Sequence, residues 1–342
     1  MTPDIADHRT ERKSIEDRAQ ARLDSLAKPP GSLGMLERVA VRLCAASGTI
    51  APVTRPRTLV VFAADHGCVA SSVSLWPSAV TVAIARTILS GGGAAGTMAR
   101  ELGVAVRLAD VGMAADVPDH ADLIRAPVRR ATRDMMHEPA LDPEEFDKAL
   151  EVGASAAKEA IAQGSRLLIA GEVGIGNTTA AAAIVAHICG LKAVDVVGSG
   201  AGATPETLAA KAAVIEAALM RASQMPGRAG LAAVAGLEIA AMAGFYLEAA
   251  RQGIPVVIDG AIAGAAALVA QALEADSTRV MIASHLSAER MHAAALRRLG
   301  LEPVLDWGMR LGEGTGALAF LPTLDLAAAI VRDMATLEEA LA

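Results

Sequence analysis

Aromatic side chains are scarce, with four Phe, two Trp and one Tyr in 342 residues. A core without bulky anchors has to come from closely packed helices and small side chains, and alanine dominates the 53% of residues that are hydrophobic. A basic excess is also missing. With 31 Lys and Arg against 38 Asp and Glu the net charge is −7, which argues against a nucleic-acid-binding protein but says nothing about small anionic substrates. The three cysteines, Cys44, Cys68 and Cys189, lie far apart and outside any CxxC arrangement. That spacing excludes a disulfide framework or a zinc knuckle and makes a reducing cytoplasm the expected location. HExxH, DxDxDG and Cys/His pairs are absent, so no metal is expected. No GxSxG precedes a helix, and Cys68 has no clear partner, so a nucleophilic enzyme is not expected either. The charged N-terminus has no apolar core of a secretory leader, and the most apolar stretch, "AAVAGLEIAAMAGFYLEAA", carries Glu238. Such stretches read as buried helices, not membrane spans.

What is present is a periodic α/β pattern. The first 50 residues read as two helices broken by "KPPGSLG", where Pro29, Pro30, Gly31 and Gly34 shape the turn. From residue 58, short apolar runs alternate with alanine-rich helices: "TLVVFAADHG", "VAVRLADVG", "RLLIAGEVGIGN", "AVDVVGSGAG", "IPVVIDGAIAG" and "RVMIASHLS". Continuous apolar strands separated by helices predict βαβ units and a parallel sheet covered on both faces. The segment "HADLIRAPVRRATRDMMHEPALDPEEF" reads as a surface excursion, and "DLAAAIVRDMATLEEAL" as a terminal helix that packs with the N-terminal pair.

Ligands of open parallel sheets bind at the carboxyl ends of the strands. Here those ends carry Asp65 and His66, Asp110, Glu172, Asp259, and Ser284 with His285. "AGEVGIGNTTAAAAIVAHI" is a strand, a glycine turn and a helix start, readable as a phosphate cradle or as a plain tight turn. As a dinucleotide fingerprint it is incomplete, since Thr179 stands where the third glycine belongs, and no Gly-Lys-Ser/Thr makes it a Walker loop. "VGSGAGATPETLAAKAAVIEAAL" repeats the logic, with Thr204 as N-cap, Pro205 at the first helical position and Lys211 two turns in, either solvated or reaching toward an anion. "LGEGTGALAF" isolates Glu313 among Gly312, Gly314 and Gly316, which suits a turn or a carboxylate given room to work on a ligand. Carboxylates beside anion donors suit proton transfer and the transfer of a phosphate-bearing group.

In order along the chain, "KPPGSLGMLE", "FAADHG", "GEVGIGNTTAAAA", "GLEIAAMAG", "PVVIDGAI", "SHLSAE" and "MRLGEGTGALA" resemble the nicotinate-nucleotide:dimethylbenzimidazole phosphoribosyltransferase family. The resemblance covers about residues 15 to 338. It implies a doubly wound, mostly parallel Rossmann-like α/β domain over residues 51–319, with a small helical domain from residues 1–50 together with 320–342. It also implies a homodimer that needs no cofactor or metal. The implied reaction moves phosphoribose from nicotinate mononucleotide to 5,6-dimethylbenzimidazole, with inversion at C1′, toward the lower ligand of cobalamin. Glu313 matches the family's proposed base, and Glu172 the second carboxylate near the ribose. Gly174, Gly176, Asn177, Gly200, Gly202 and Lys211 would hold the phosphate, with Asp259 and Ser287 between the substrates. Ser74 and Trp76 of "SVSLWPSAVT" would wall the aromatic base. Many relatives carry a glutamine soon after the Val-Thr pair, where this chain reads "VTVAIAR", which leaves adenine or a phenol as alternative acceptors. A nicotinamide-dependent dehydrogenase and a catalytically silent nucleotide-binding protein are the rival readings.

Overall fold

The computed structural model describes residues 5–200 and 202–342. In chain order the elements are α1 (Ile5–Asp24), α2 (Met35–Ser47), β1 (Arg57–Ala64), α3 (Ala79–Leu89), α4 (Ala94–Leu102), β2 (Ala105–Gly112), β3 (Leu123–Arg125), α5 (Pro143–Ala162), β4 (Leu167–Val173) and α6 (Asn177–Cys189). There follow α7 (Ala193–Val196), α8 (Pro205–Ala222), α9 (Gly227–Val234), α10 (Leu237–Gln252), β5 (Val256–Ile258), α11 (Ala261–Leu273), β6 (Met281–Ala283), α12 (Arg290–Leu299), α13 (Thr315–Asp333) and α14 (Leu337–Leu341).

The six strands form one sheet in the order β3-β2-β1-β4-β5-β6, and every pairing is parallel. Chain order runs outward in both directions from β1 and β4, so the sheet is doubly wound and the topological switch lies between these two strands. Alternation along each strand sorts side chains to opposite faces. Val60, Phe62 and Ala64 of β1 join a core with α5, α6 and α8 to α12. Leu59, Val61 and Ala63 join a second core with α1 to α4 and α13.

Small residues do what the shortage of aromatics demands. α5 and α10 cross so closely that a Cβ on Gly153 would sit 1.7 Å from the Ala241 carbonyl oxygen, and one on Gly244 would sit 2.0 Å from that of Leu150. All but two residues of α10 are buried, which accounts for its apolar sequence. By length and composition alone, Ala79–Leu102 and Thr315–Asp333 could cross a membrane. In the fold both contribute apolar side chains to the second core.

Two readings of the sequence are corrected. "AVDVVGSGAG" is not a strand; its first residues form the short helix α7, and residues 197–200 follow without strand structure. The expected surface excursion contributes the edge strand β3 and buries Met135, Ala140, Leu141 and Phe146 in the first core. The termini do meet. Arg22 donates to the carbonyls of Val331 and Met334, and Leu26 bridges to Thr336.

Candidate active site

The carboxyl ends of β4, β5 and β6 and the turn before α13 enclose a cavity of about 460 Å³. Glu172 enters it from β4, Asp259 from the end of β5, His285 and Ser287 from the segment after β6, and Glu313 from the turn. The glycine turn Gly174–Ile175 and the start of α6, Asn177 and Thr178, form another wall. Trp76, Val80 and Ile84, with Met309 and Leu311, supply its apolar lining.

Glu313 has φ of 59°, between Gly312 at 89° and Gly314 at 79°. Three successive left-handed residues make the turn, and holding a glutamate in that region costs on the order of 1 kcal/mol. The conformation brings the turn against β4, where the Glu313 amide donates to the Glu172 carbonyl at 3.2 Å. A Cβ at position 312 would sit 2.1 Å from Glu172 Oε1, so a glycine there leaves space for that carboxylate.

The electrostatics are those of crowded, buried acids. Burial pushes the Glu313 carboxyl up, opposed by a hydrogen bond from the Ala95 amide at the start of α4 and assisted by the charge of Asp259. Its Oε2 is buried with no hydrogen-bond partner among the described residues. Glu172 is raised well above the usual range by burial and by the charges of Asp259, Glu238 and Glu313, against a hydrogen bond donated by Asn177 Nδ2. Burial also raises Asp259, while the His285 charge and the backbone amides of Ala317, Gly260 and Gly316 pull it back. Its Oδ1 accepts from the Ala317 amide at 2.9 Å, so this acid also caps α13. Such a cluster disfavours full ionisation of its members and attracts a cationic ligand.

Most residues expected from the sequence converge here. Glu172, Gly174, Asn177, Gly200, Asp259, Ser287, Trp76 and Glu313 all line the cavity. Gly176 stands directly before α6 as its N-cap. Lys211 is buried, not solvated: its Nζ donates to Thr178 Oγ1 at 3.1 Å and to the Gly198 carbonyl at 3.3 Å, just behind the wall. Gly176 and Lys211 thus stand behind the lining, and Ser74 and Gly202 are also absent from it. Ser74 Oγ accepts from the Trp76 amide at 3.0 Å and shapes the loop that carries the tryptophan. Gly202 lies in open space beyond Gly200.

Several lining residues escaped the sequence reading. Arg310 donates to the Gly200 carbonyl at 2.6 Å, and Glu289 accepts from the Gly200 amide at 2.8 Å, so both fix the second glycine loop. The arginine two residues before Gly312 was the available signal for the first. Asp65 and Asp110 end strands as Glu172 does, yet neither lines the cavity. Asp110 Oδ1 accepts from the Gly112 and Met113 amides and holds a turn.

A doubly wound parallel sheet whose carboxyl edge gathers buried acids beside two glycine loops and a helix N-terminus defines an α/β enzyme of the nucleotide-handling kind. A family model described as DBI_PRT, Phosphoribosyltransferase, matches residues 9–341. The nicotinate-nucleotide–dimethylbenzimidazole phosphoribosyltransferase of Chloroflexus aggregans is 44% identical over 94% of this chain and 92% of its own length. That of Chromobacterium violaceum is 44% identical over 96% and 95%. The crystal structure of CobT from Thermus thermophilus superposes with a TM-score of 0.92 at 43% identity, covering 96% of this chain and 98% of that one. The chain belongs to the nicotinate-nucleotide:dimethylbenzimidazole phosphoribosyltransferase family.

Proposed function

We propose that this protein is a pentosyltransferase that moves phosphoribose from nicotinate mononucleotide to 5,6-dimethylbenzimidazole, releasing nicotinate and forming α-ribazole 5′-phosphate for cobalamin assembly. The observation that carries the reading is the pairing of Glu313 and Glu172 on adjoining backbone, both facing one cavity that also holds a helix N-terminus and an apolar wall. One benzimidazole nitrogen attacks C1′ from the face opposite nicotinate. The C1′–N bond to nicotinate breaks, and its electron pair returns to the pyridine nitrogen. The proton on the other benzimidazole nitrogen becomes acidic as the new bond forms and passes to the Glu313 carboxylate.

Glu172 and Asp259 face the ribose, where positive charge builds as the bond to nicotinate stretches. The substrate pyridinium brings a positive charge of its own into the cluster, so binding favours ionisation of acids that burial had made reluctant. The start of α6, with Gly174, Gly176 and Asn177, takes the 5′-phosphate, and Gly200 and Lys211 support that side. Trp76, Val80 and Ile84 offer the flat aromatic acceptor an apolar surface. Juxtaposing both substrates in one cavity supplies much of the remaining acceleration. The working unit we propose is a cytoplasmic homodimer.

The test is chromatographic product formation from nicotinate mononucleotide and dimethylbenzimidazole by the wild type and by Glu313→Gln. Nicotinate release with an α-ribazole phosphate product, slowed about 10²-fold or more in the variant, is expected. Full activity in Glu313→Gln would move proton acceptance elsewhere. No product with this acceptor, but product with adenine or a phenol, would keep the transferase and change its substrate.

A further inference from the structure

The Asp65–His66 pair that follows β1 and the Val80–Thr81 pair of α3 include three buried polar side chains, Asp65, His66 and Thr81, that the chemistry above does not use. Asp65 and Thr81 are both fully buried. Thr81 Oγ1 donates to Asp65 Oδ1 at 2.6 Å and accepts from the Ile175 amide at 3.1 Å. The other oxygen of Asp65 accepts from the Ala114 amide at 2.8 Å, which fixes the carboxylate from the far side. A single hydroxyl therefore gives its proton to one structure and its lone pair to another.

The two structures it joins both contribute to the cavity lining. α3 carries Val80 and Ile84 of the apolar wall, and Ile175 lies in the glycine turn that heads α6. His66 packs beneath the same turn: its Nε2 lies 3.0 Å from Glu238 Oε1, and its Cβ would be 3.1 Å from a Cβ on Gly176. The turn thus packs on a buried hydrogen-bonded pair and is tied to α3 through one hydroxyl. We propose that Thr81, oriented by Asp65, is a positioning residue that couples the acceptor wall to the phosphate-holding turn, so that both substrate subsites are set together. The proposal rests on the reading of the cavity given above.

Valine matches threonine in shape but removes both hydrogen bonds, leaving the Ile175 amide and an Asp65 oxygen without partners. Serine keeps them. The experiment measures kcat, KM for nicotinate mononucleotide, KM for dimethylbenzimidazole and thermal midpoint in the wild type, Thr81→Val and Thr81→Ser. For Thr81→Val we expect KM for the mononucleotide to rise about tenfold and KM for the acceptor at least about threefold, while kcat at saturation changes less than either. Thr81→Ser is expected to return both KM values to within about twofold of wild type.

Unchanged KM values in Thr81→Val, a rise for one substrate alone, or failure of a folded Thr81→Ser to restore them overturns the coupling. Should Thr81→Val not accumulate as folded protein, Asp65→Asn, which keeps the volume and turns one acceptor into a donor, is read by the same criteria. A wild type that transfers phosphoribose to no acceptor sinks the transferase reading, and the coupling with it. An active wild type with an indifferent Thr81 sinks the coupling alone.

Discussion

At Glu313 and Glu172, burial sets the chemistry and its pH dependence together. Both carboxyls lie above the usual range because water is excluded and like charges are close. A base must be unprotonated to accept a proton, so kcat/KM should rise with pH through the elevated Glu313 pKa, and Glu313→Gln should lose that limb along with most of its activity. A pH–rate profile of the two proteins checks this. The stability consequence has the opposite sense. An acid whose folded pKa is raised binds protons more tightly when folded, so stability is lost as pH rises from the ordinary carboxylate value through the raised one. Glu172→Gln removes that repulsion while keeping the shape and the contact to Asn177. It should melt higher than wild type, by a margin that widens from about pH 5 to pH 8, while turning over poorly. Thermal melts across that range decide it. Glu313 was legible because glycines isolate it. Glu289 and Thr81 were not, because they act on segments more than 80 residues distant, and Arg310 offered only its place two residues before Gly312.

Elements position these residues through turns that tolerate little change. Gly312→Ala would bring a Cβ onto the Glu172 carboxylate and force a left-handed alanine at φ 89°. We expect about a tenfold or greater fall in kcat/KM with a modest loss of thermal stability, read from steady-state kinetics beside a melt. β1, β2, β4, β5 and β6 announced themselves as apolar runs closed by polar residues. β3 did not: it is three residues long and half-exposed at the sheet edge, so no periodicity develops. "AVDVV" misled in the other direction. Its β-branched residues satisfy a strand pattern, yet the chain folds them as a single helical turn that buries Ala193 and Val196. Propensity yields to tertiary burial in segments this short.

Across the whole molecule, α13 joins the site to the termini. Its start is capped by Asp259, and its far end meets α1 through Arg22. Between them, Asp325 accepts from Thr54 Oγ1 at 2.6 Å, from Arg57 at 2.7 Å and from Arg55 at 2.9 Å. Burial pushes the Asp325 carboxyl up, but these hydrogen bonds outweigh it and hold it below the usual range. Its contribution is therefore present above ordinary carboxylate pH and lost as pH falls through the lowered value. Asp325→Ala strands the buried Arg57 guanidinium and should cost about 3–5 kcal/mol in denaturant unfolding. We propose that residues 1–50 with 320–342 act as a small helical domain. Because their core is continuous with one face of the sheet, they should unfold with it in a single transition, and Asp325→Ala should shift that transition whole.

The sequence by itself determined the class: alternating apolar runs and alanine-rich helices, glycine turns at helix starts, and one acid isolated among glycines. These are local properties, dictated by backbone sterics and by which faces must leave water. Tertiary structure alone decided which strand-end acids do chemistry. Asp65 and Asp110 look like Glu172 and Asp259 in the sequence, but their oxygens are taken up by Thr81 and by the amides of Ala114, Gly112 and Met113. Glu172, Asp259 and Glu313 share a cavity because β4 and β5 lie on the same side of the switch and α13 begins between them. A carboxylate's role follows from the donors that reach it, and those come from segments that only folding brings near.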